Sequence, residues 1–284
     1  MEEVKKKILV LGSTGMLGHV LIEKLCRLNK YQIFNISRKK LNDETILVDV
    51  TNYKILKETI YDLSPNYIIN CVGILVEDSK LNLTEAIKIN SLLPHQLKEI
   101  ADNLNASLIH ISTDCVFDGS VGNYSEDSKT SATDIYGKTK ILGEINGPNH
   151  TNIRTSIIGP ELFNNSRGLL SWILENQDSN YIEGYSKSIW SGITTIELSK
   201  AIIYCIENSI FGLLHISNKP ISKYELISLI VDKFNLNIKV KKVDGKISDK
   251  SLITSRNDFN YNIPSYKEMI SDMKSFIELK KYLY

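Results

Sequence analysis

Lys7-Ile-Leu-Val-Leu-Gly-Ser-Thr-Gly-Met-Leu-Gly18, running on into His19-Val-Leu-Ile-Glu-Lys-Leu-Cys-Arg-Leu28, is the stretch whose reading decides the fold. Lys7–Leu11 is a continuous apolar run, as expected of a parallel strand buried on both faces. After Gly18 the apolar residues recur at helical spacing. Strand, glycine turn and helix in this order suit a dinucleotide. Glycines let the backbone approach a pyrophosphate, and the helix N-terminus offers free N–H groups and a positive dipole end. Gly12, Thr14, Gly15, Met16, Leu17 and Gly18 are therefore the expected phosphate-side contacts. A turn serving only tight packing is the competing explanation, and the strand–helix context weighs against it.

Working outward, a second strand is expected over 31–36, ending at Ser37-Arg38-Lys39-Lys40. In this fold an acid about 20 positions beyond the glycines holds the ribose hydroxyls, whereas an Arg suits a 2′-phosphate. Ser37 and Arg38 stand there with no acid before Asp43, which favours NADP(H) over NAD(H); otherwise the basic run only solvates a loop. A third strand over 45–48 leads to Asp49 and Val50. Asp49 either meets the adenine or caps the helix expected over 52–63. A fourth, Tyr67–Asn70, runs into Cys71, Val72 and Gly73, small residues that leave room for a cofactor over the sheet edge. Residues 83–104 read as a long helical region. Within it Asn90 is a site residue or a core amide, and Pro94 implies a kink, or a break near Leu93. Ser107–Ile111 is a fifth strand, delivering Ser112 and Thr113 to the same edge.

Strands alternating with helices at these spacings predict an α/β fold, a doubly wound parallel sheet of Rossmann type over residues 1–158. A smaller C-terminal α/β substrate lobe is expected over 159–284, with a segment about 192–218 packing back onto the first domain. Residues 161–191 are broken and rich in aromatics and Asn. Further on, helices are expected over 194–206 and 222–234, strands over 213–216 and 238–243, and a closing helix within 264–283. Ser222-Lys-Tyr-Glu225 is a capping box for the second of these helices. The net charge of +1 on 284 residues gives no reason to expect nucleic acid or an anionic membrane surface. No segment approaches a membrane span. The four cysteines are scattered, without a Cys-x-x-Cys or a histidine cluster, so a reduced, metal-free, cytoplasmic protein is expected.

Tyr136-Gly-Lys-Thr-Lys140 places a phenol and an ammonium on one helix face. With Gly12-x-x-Gly15-x-x-Gly18, Ile111-Ser-Thr-Asp-x-Val-Phe-Asp-Gly119, Tyr136-Gly-Lys-Thr-Lys140-x-x-Gly-Glu144 and Ile153-Arg-Thr-Ser156 all in order, the chain resembles the extended short-chain dehydrogenase/reductases. Within them it is most similar to the dTDP-4-dehydrorhamnose reductase family. The likeness continues through Gly192–Ala201 and Gly212–Ser217, nearly the whole chain.

The resemblance implies that Thr113, Tyr136 and Lys140 are catalytic, with Tyr136 and Lys140 also against the cofactor. A ketone accepting hydride develops alkoxide charge and needs a donor at its oxygen. Tyr136 would protonate it, Lys140 would lower the pKa of the phenol and hold the nicotinamide ribose, and Thr113 would orient the carbonyl. The implied substrate is a nucleotide-linked 4-keto-6-deoxyhexose for surface polysaccharide, with a homodimer as the possible assembly. Arg154, at a strand end, reads as structural. Related 4,6-dehydratases carry Asp-Glu after the triad Thr; here Asp114-Cys115 stands against dehydration. GDP-fucose synthases, which epimerise before reducing, place a cysteine as Cys115 is placed, but no histidine lies between His150 and His215 to partner it. Cys115 then reads as a packing residue. The methionine adenosyltransferase regulatory subunit, which resembles the same reductases, keeps a non-catalytic binding protein open as an alternative. Trp172, Trp190, Tyr181 and Tyr185 either stack on a base or sugar, or are core.

Overall fold

The computed structural model describes residues 4–162 and 168–280, and its centre is a seven-stranded sheet in which every pairing is parallel. In chain order the strands are β1 (Lys7–Leu11), β2 (Gln32–Ser37), β3 (Thr45–Leu47), β4 (Tyr67–Asn70), β5 (Ser107–Ile111), β6 (Thr151–Arg154) and β7 (Gly212–His215). The main helices are α1 (Gly18–Leu28), α2 (Tyr53–Leu63), α3 (Leu93–Asn103), α4 (Ile135–Leu142), α5 (Thr195–Asn208), α6 (Lys223–Phe234) and α7 (Tyr266–Lys280). Expected and observed ends differ by a residue or two.

Alternate residues of β1 enter two separate cores. Ile8 and Val10 pack with Leu21 and Leu25 of α1 and Leu198 and Ile202 of α5. Leu9 and Leu11 pack with Leu56 and Ile60 of α2 and Leu97 and Ile100 of α3. A helical layer on each face leaves the strand no polar side, which is why its apolar run is unbroken. The spatial order β3-β2-β1-β4-β5-β6-β7 reverses direction between β1 and β4. Doubly wound sheets open a crevice at that reversal, and the Gly12–Gly18 turn lies at its mouth.

Pro94 neither breaks the helix nor simply kinks it. Leu83–Ala86, Ile87–Leu92 and Leu93–Asn103 follow without a gap, and Ile87–Leu92 is π-helical. Pro94 has no N–H to return, and its ring crowds the carbonyl four residues back, that of Asn90. Widening the turn moves this carbonyl aside. It is received at Gly143, where a Cβ would lie 1.8 Å from the Asn90 oxygen.

Residues beyond 158 serve both parts of the molecule. β7 pairs with β6 as the edge of the main sheet, and α5 packs on α1. A third core gathers Leu170, Ile173, Ile182, Trp190, Leu226 and Ile230 with Met273 and Phe276 of α7. Tyr181–Tyr185 pairs in parallel with Lys239–Val243, and the helix Leu169–Glu175 stands within the stretch expected to be broken. The capping box of α6 is present: Ser222 Oγ accepts from Glu225 N at 3.1 Å, and Glu225 Oε2 accepts from Ser222 N at 3.0 Å. Among the described residues no helix is long and apolar enough to cross a membrane.

Candidate active site

The chain leaves β1 through Gly12 at φ 77°, in the left-handed region that favours glycine. A Cβ on Gly18 would lie 2.2 Å from the Gly12 carbonyl oxygen, so the start of α1 can close on the strand end only with glycine there. Beside this turn is a pocket of about 330 Å³. Gly12, Thr14 and Gly15 line it from the turn, and Ser37, Arg38 and Lys39 from the end of β2. Val48 and Val50 line it from the segment after β3, and Cys71, Val72 and Gly73 from that after β4. Lys39 belongs to the basic run expected there, and Val48 adjoins the expected Asp49.

Met16, Leu17, Gly18, Asp49 and Asn90 are not among the lining residues. Asp49 closes the turn before α2, accepting from Thr51 N at 2.9 Å and from Thr51 Oγ1 at 2.7 Å; the helix cap itself is Asn52. Asn90 is a fully buried core amide. Its Oδ1 accepts from Ile74 N at 2.8 Å, and its Nδ2 donates to Ile74 O at 3.1 Å and Thr139 Oγ1 at 3.2 Å. It ties the loop after β4 to α4 and so sets one wall of the pocket. A backbone cradle without Cβ atoms, a helix N-terminus and flanking cations fit a pyridine dinucleotide.

Thr113 follows β5 and accepts from Cys115 N at 3.1 Å, capping the short turn Asp114–Val116. The α4 helix is pressed onto this turn. Asp134 caps it, accepting from Gly137 N at 2.8 Å, and a Cβ on Gly137 would lie 2.3 Å from the Cys115 carbonyl oxygen. Its other end is held by Gly143 against Asn90 and by Ser91 Oγ, which donates to Thr139 O at 2.8 Å. Two glycines and two side chains thus fix the helix carrying Tyr136 and Lys140. Tyr136 meets the Thr113 hydroxyl, so the structure brings the three triad positions to one edge of the sheet.

Lys140 is buried, donates to the Ile111 carbonyl at 2.8 Å, and lies 3.4 Å from His110 Nε2. Burial pushes its ammonium down to about 8, with Glu144 opposing. The Tyr136 phenol is raised instead, by burial first, with Cys115, Asp114 and Asp134 adding to this and Thr113 opposing. No lowering of Tyr136 by Lys140 is found: Lys140 donates to the Ile111 carbonyl, while acids face the phenol. A phenol that keeps its proton is the state from which a proton donor starts.

Arg154 is structural, as expected: its Nε and Nη2 donate to the two Glu144 oxygens, each at 2.7 Å. Cys115 has its thiol pushed up to about 12, by burial first and then by Asp114, which favours the neutral thiol of a packing residue. His215 is buried between the Tyr124 and Ile253 carbonyls and Arg154. The aromatics of the lobe divide. Trp190 is core, its indole donating to Ser156 Oγ at 2.8 Å. Trp172, Tyr181 and Tyr185 are exposed and line an open pocket of about 610 Å³ with Lys223 of α6. Lys223 is also close enough to Asp114 and Cys115 to interact with them, which sets this pocket beside the edge that carries Thr113. Nothing in the sequence marked Lys223 except its position at the start of a capped helix.

Fold and cradle together define a pyridine-nucleotide oxidoreductase of the extended short-chain dehydrogenase/reductase type. Residues 6–251 match the model of the RmlD substrate binding domain family, and the chain belongs to that family. It is 29% identical over 241 residues to the dTDP-4-dehydrorhamnose reductase of Aggregatibacter actinomycetemcomitans, covering 80% of this chain and 79% of that one. It is also 25% identical over 244 residues to methionine adenosyltransferase 2 subunit beta of Xenopus laevis, covering 81% and 73%. Among solved structures, dTDP-4-dehydrorhamnose reductase from Bacillus anthracis str. Ames in complex with NADP superposes with a TM-score of 0.82 at 24% identity, over 97% of this chain and 100% of that one.

Proposed function

We propose that the protein reduces the C4 ketone of a nucleotide-linked 4-keto-6-deoxyhexose of the dTDP-4-dehydrorhamnose type, with NADPH, for surface-polysaccharide sugar synthesis. The observation that carries this reading is a protonated Tyr136 meeting Thr113 at the sheet edge, beside the α4 face that holds Lys140. Residues 1–158 chiefly hold the cofactor and 159–284 chiefly the substrate. The cofactor, when bound, supplies the hydride. Thr113 orients the ketone by donating a hydrogen bond to its oxygen, and Tyr136 protonates that oxygen as charge develops on it. Lys140 holds the ribose and its charge favours the tyrosinate left behind. Arg38 lines the cofactor pocket from the end of β2, where an arginine suits a 2′-phosphate, which supports NADPH over NADH. Trp172, Tyr181 and Tyr185 offer stacking faces for a nucleobase, and Lys223 a cation for its diphosphate.

NADPH absorbance followed against a panel of nucleotide 4-keto sugars tests this. Consumption is expected with at least one sugar, falling about 10²–10⁴-fold in Tyr136→Phe, the usual worth of a positioned proton donor. Tight NADPH binding without consumption of any sugar would instead favour a non-catalytic binding protein.

A further inference from the structure

Behind Lys140 lies a buried hydrogen-bonded chain that the proposed chemistry does not use. Val72 N donates to Asn70 Oδ1 at 3.1 Å, Asn70 Nδ2 lies 3.1 Å from His110 Nδ1, and His110 Nε2 lies 3.4 Å from Lys140 Nζ. Asn70 and His110 are both fully buried, on the neighbouring strands β4 and β5. A backbone N–H can only donate, so Val72 fixes which end of the Asn70 amide is oxygen. The amide NH₂ then faces His110 Nδ1, which must accept. A neutral imidazole has one N–H, and the only nitrogen left to carry it is Nε2, which faces Lys140. An ammonium has no lone pair to receive that N–H, whereas a neutral amine has one.

We infer that Asn70 and His110 are positioning residues for Lys140: the chain that starts at Val72 N turns an imidazole N–H toward the lysine nitrogen and favours its neutral form. The charged and titratable groups around the pair are few. Tyr136 lies on the same helix as Lys140 and Glu144 just past its end, and the Glu144 oxygens are held by Arg154 and by Ser112. On α3, His95 adds to the charge that disfavours a His110 imidazolium, as does Lys140 itself. A doubly protonated His110 would set N–H groups against donors on both sides, so the imidazole stays neutral. The chain ends in an amide, which passes no proton on, and this makes it a holding device with no route to solvent. Its direction agrees with a lysine that titrates near 8 rather than in its ordinary range.

The inference takes Lys140 as the lysine of the proposed reductase site, but its test needs no sugar and no turnover, so it can fail separately from the substrate reading. Nitrogen spectra of ¹⁵N-histidine protein read the tautomer, and ¹³Cε-lysine spectra, with Lys140 assigned by its loss in Lys140→Met, read the titration. The expected results are an Nε2–H tautomer for His110 and a Lys140 midpoint near 8 in the wild type. In Asn70→Asp the carboxylate accepts from both neighbours, so His110 turns to the Nδ1–H tautomer and presents a lone pair to Lys140. The Lys140 midpoint then rises by about one pH unit or more. His110→Gln, whose amide oxygen can turn to the ammonium, raises it likewise, and His95→Gln leaves the tautomer unchanged. An Nδ1–H tautomer in the wild type, an unchanged tautomer in Asn70→Asp, or a Lys140 midpoint that does not rise in the folded variants overturns the inference. A purely structural role would lower stability and leave the titration where it was.

Discussion

Arg154 and Lys140 are two cations buried to almost the same degree behind the edge that carries Thr113 and Tyr136, 4% and 3% exposed, and the fold treats them in opposite ways. Arg154 meets both oxygens of Glu144 and lies 5.3 Å over the Phe117 ring. Lys140 has one carbonyl, one imidazole and no carboxylate of its own. Yet Glu144 follows Lys140 by four residues, just past the end of α4, and its charge reaches the lysine. The guanidinium wins it because its planar fork matches a carboxylate bidentately, which an ammonium cannot do. One cation is thereby made permanent and ties α4 to β6. The other keeps a proton it can lose, and that one sits on the face with Tyr136.

The largest effects should come from breaking the permanent pair. Arg154→Leu leaves Glu144, a partly buried carboxylate, with the Ser112 hydroxyl alone, and should cost about 3 kcal/mol, the low end for breaking a buried pair, read by urea unfolding at pH 7. The freed carboxylate should turn to Lys140, and the Lys140 titration should move up from near 8. A Lys140 titration that stays put would mean that Arg154 and Lys140 do not compete for Glu144. Lys140→Met should behave in the opposite sense: activity falls while stability at pH 7 is kept or raised. The sign follows from the proton count. Lys140 titrates near 8 in the folded chain and at 10.5 in its ordinary range, so between the two the unfolded chain holds more protons and the wild type gains stability as pH rises. The cost of burying the charge, about 3 kcal/mol at most, is present below pH 8 and relieved toward pH 10.5. The wild type and Lys140→Met should therefore converge across that window. A constant gap would show that the Lys140 charge is not what the fold strains against.

The contrast also marks where sequence stopped speaking. Tyr136, Lys140, Thr113 and the glycine turn could be read because their spacing is local and each position has a chemical reason for its residue type. The sheet could be read because two helical layers demand unbroken apolar strands. Arg154 could be placed as structural from its strand end, but its partner could not be named, since Glu144 arrives from the segment just past α4. His110 stood in plain view inside an apolar strand, and only the register of β4 beside β5 shows what it faces. Asn90 and Asp49 each have a polar side chain near the right edge, and each bonds within the chain, Asn90 with Ile74 and Thr139 and Asp49 with Thr51. The lobe was least legible because its core is assembled from short elements far apart in sequence, such as Leu170, Ile182 and Leu226 with Phe276. Their apolar residues are too few per element to show a period. Trp172 and Trp190 look alike in sequence and end on opposite sides of that core's boundary.

The finest division between the two cations runs through Ser112. Its Oγ donates to Glu144 Oε1 at 2.8 Å, the same oxygen that receives Arg154 Nε, while the next residue, Thr113, meets Tyr136. Ser112→Ala removes one hydrogen bond to a carboxylate that retains both of its guanidinium bonds, so the loss should be small, about 1 kcal/mol in urea unfolding. The remaining bidentate pair should hold Glu144 in place, leaving the Lys140 titration unmoved. A rise of the Lys140 midpoint in Ser112→Ala would show that the hydroxyl, and not the guanidinium alone, keeps Glu144 from the lysine. The permanence of one cation and the lability of the other would then depend on a single serine at the end of β5.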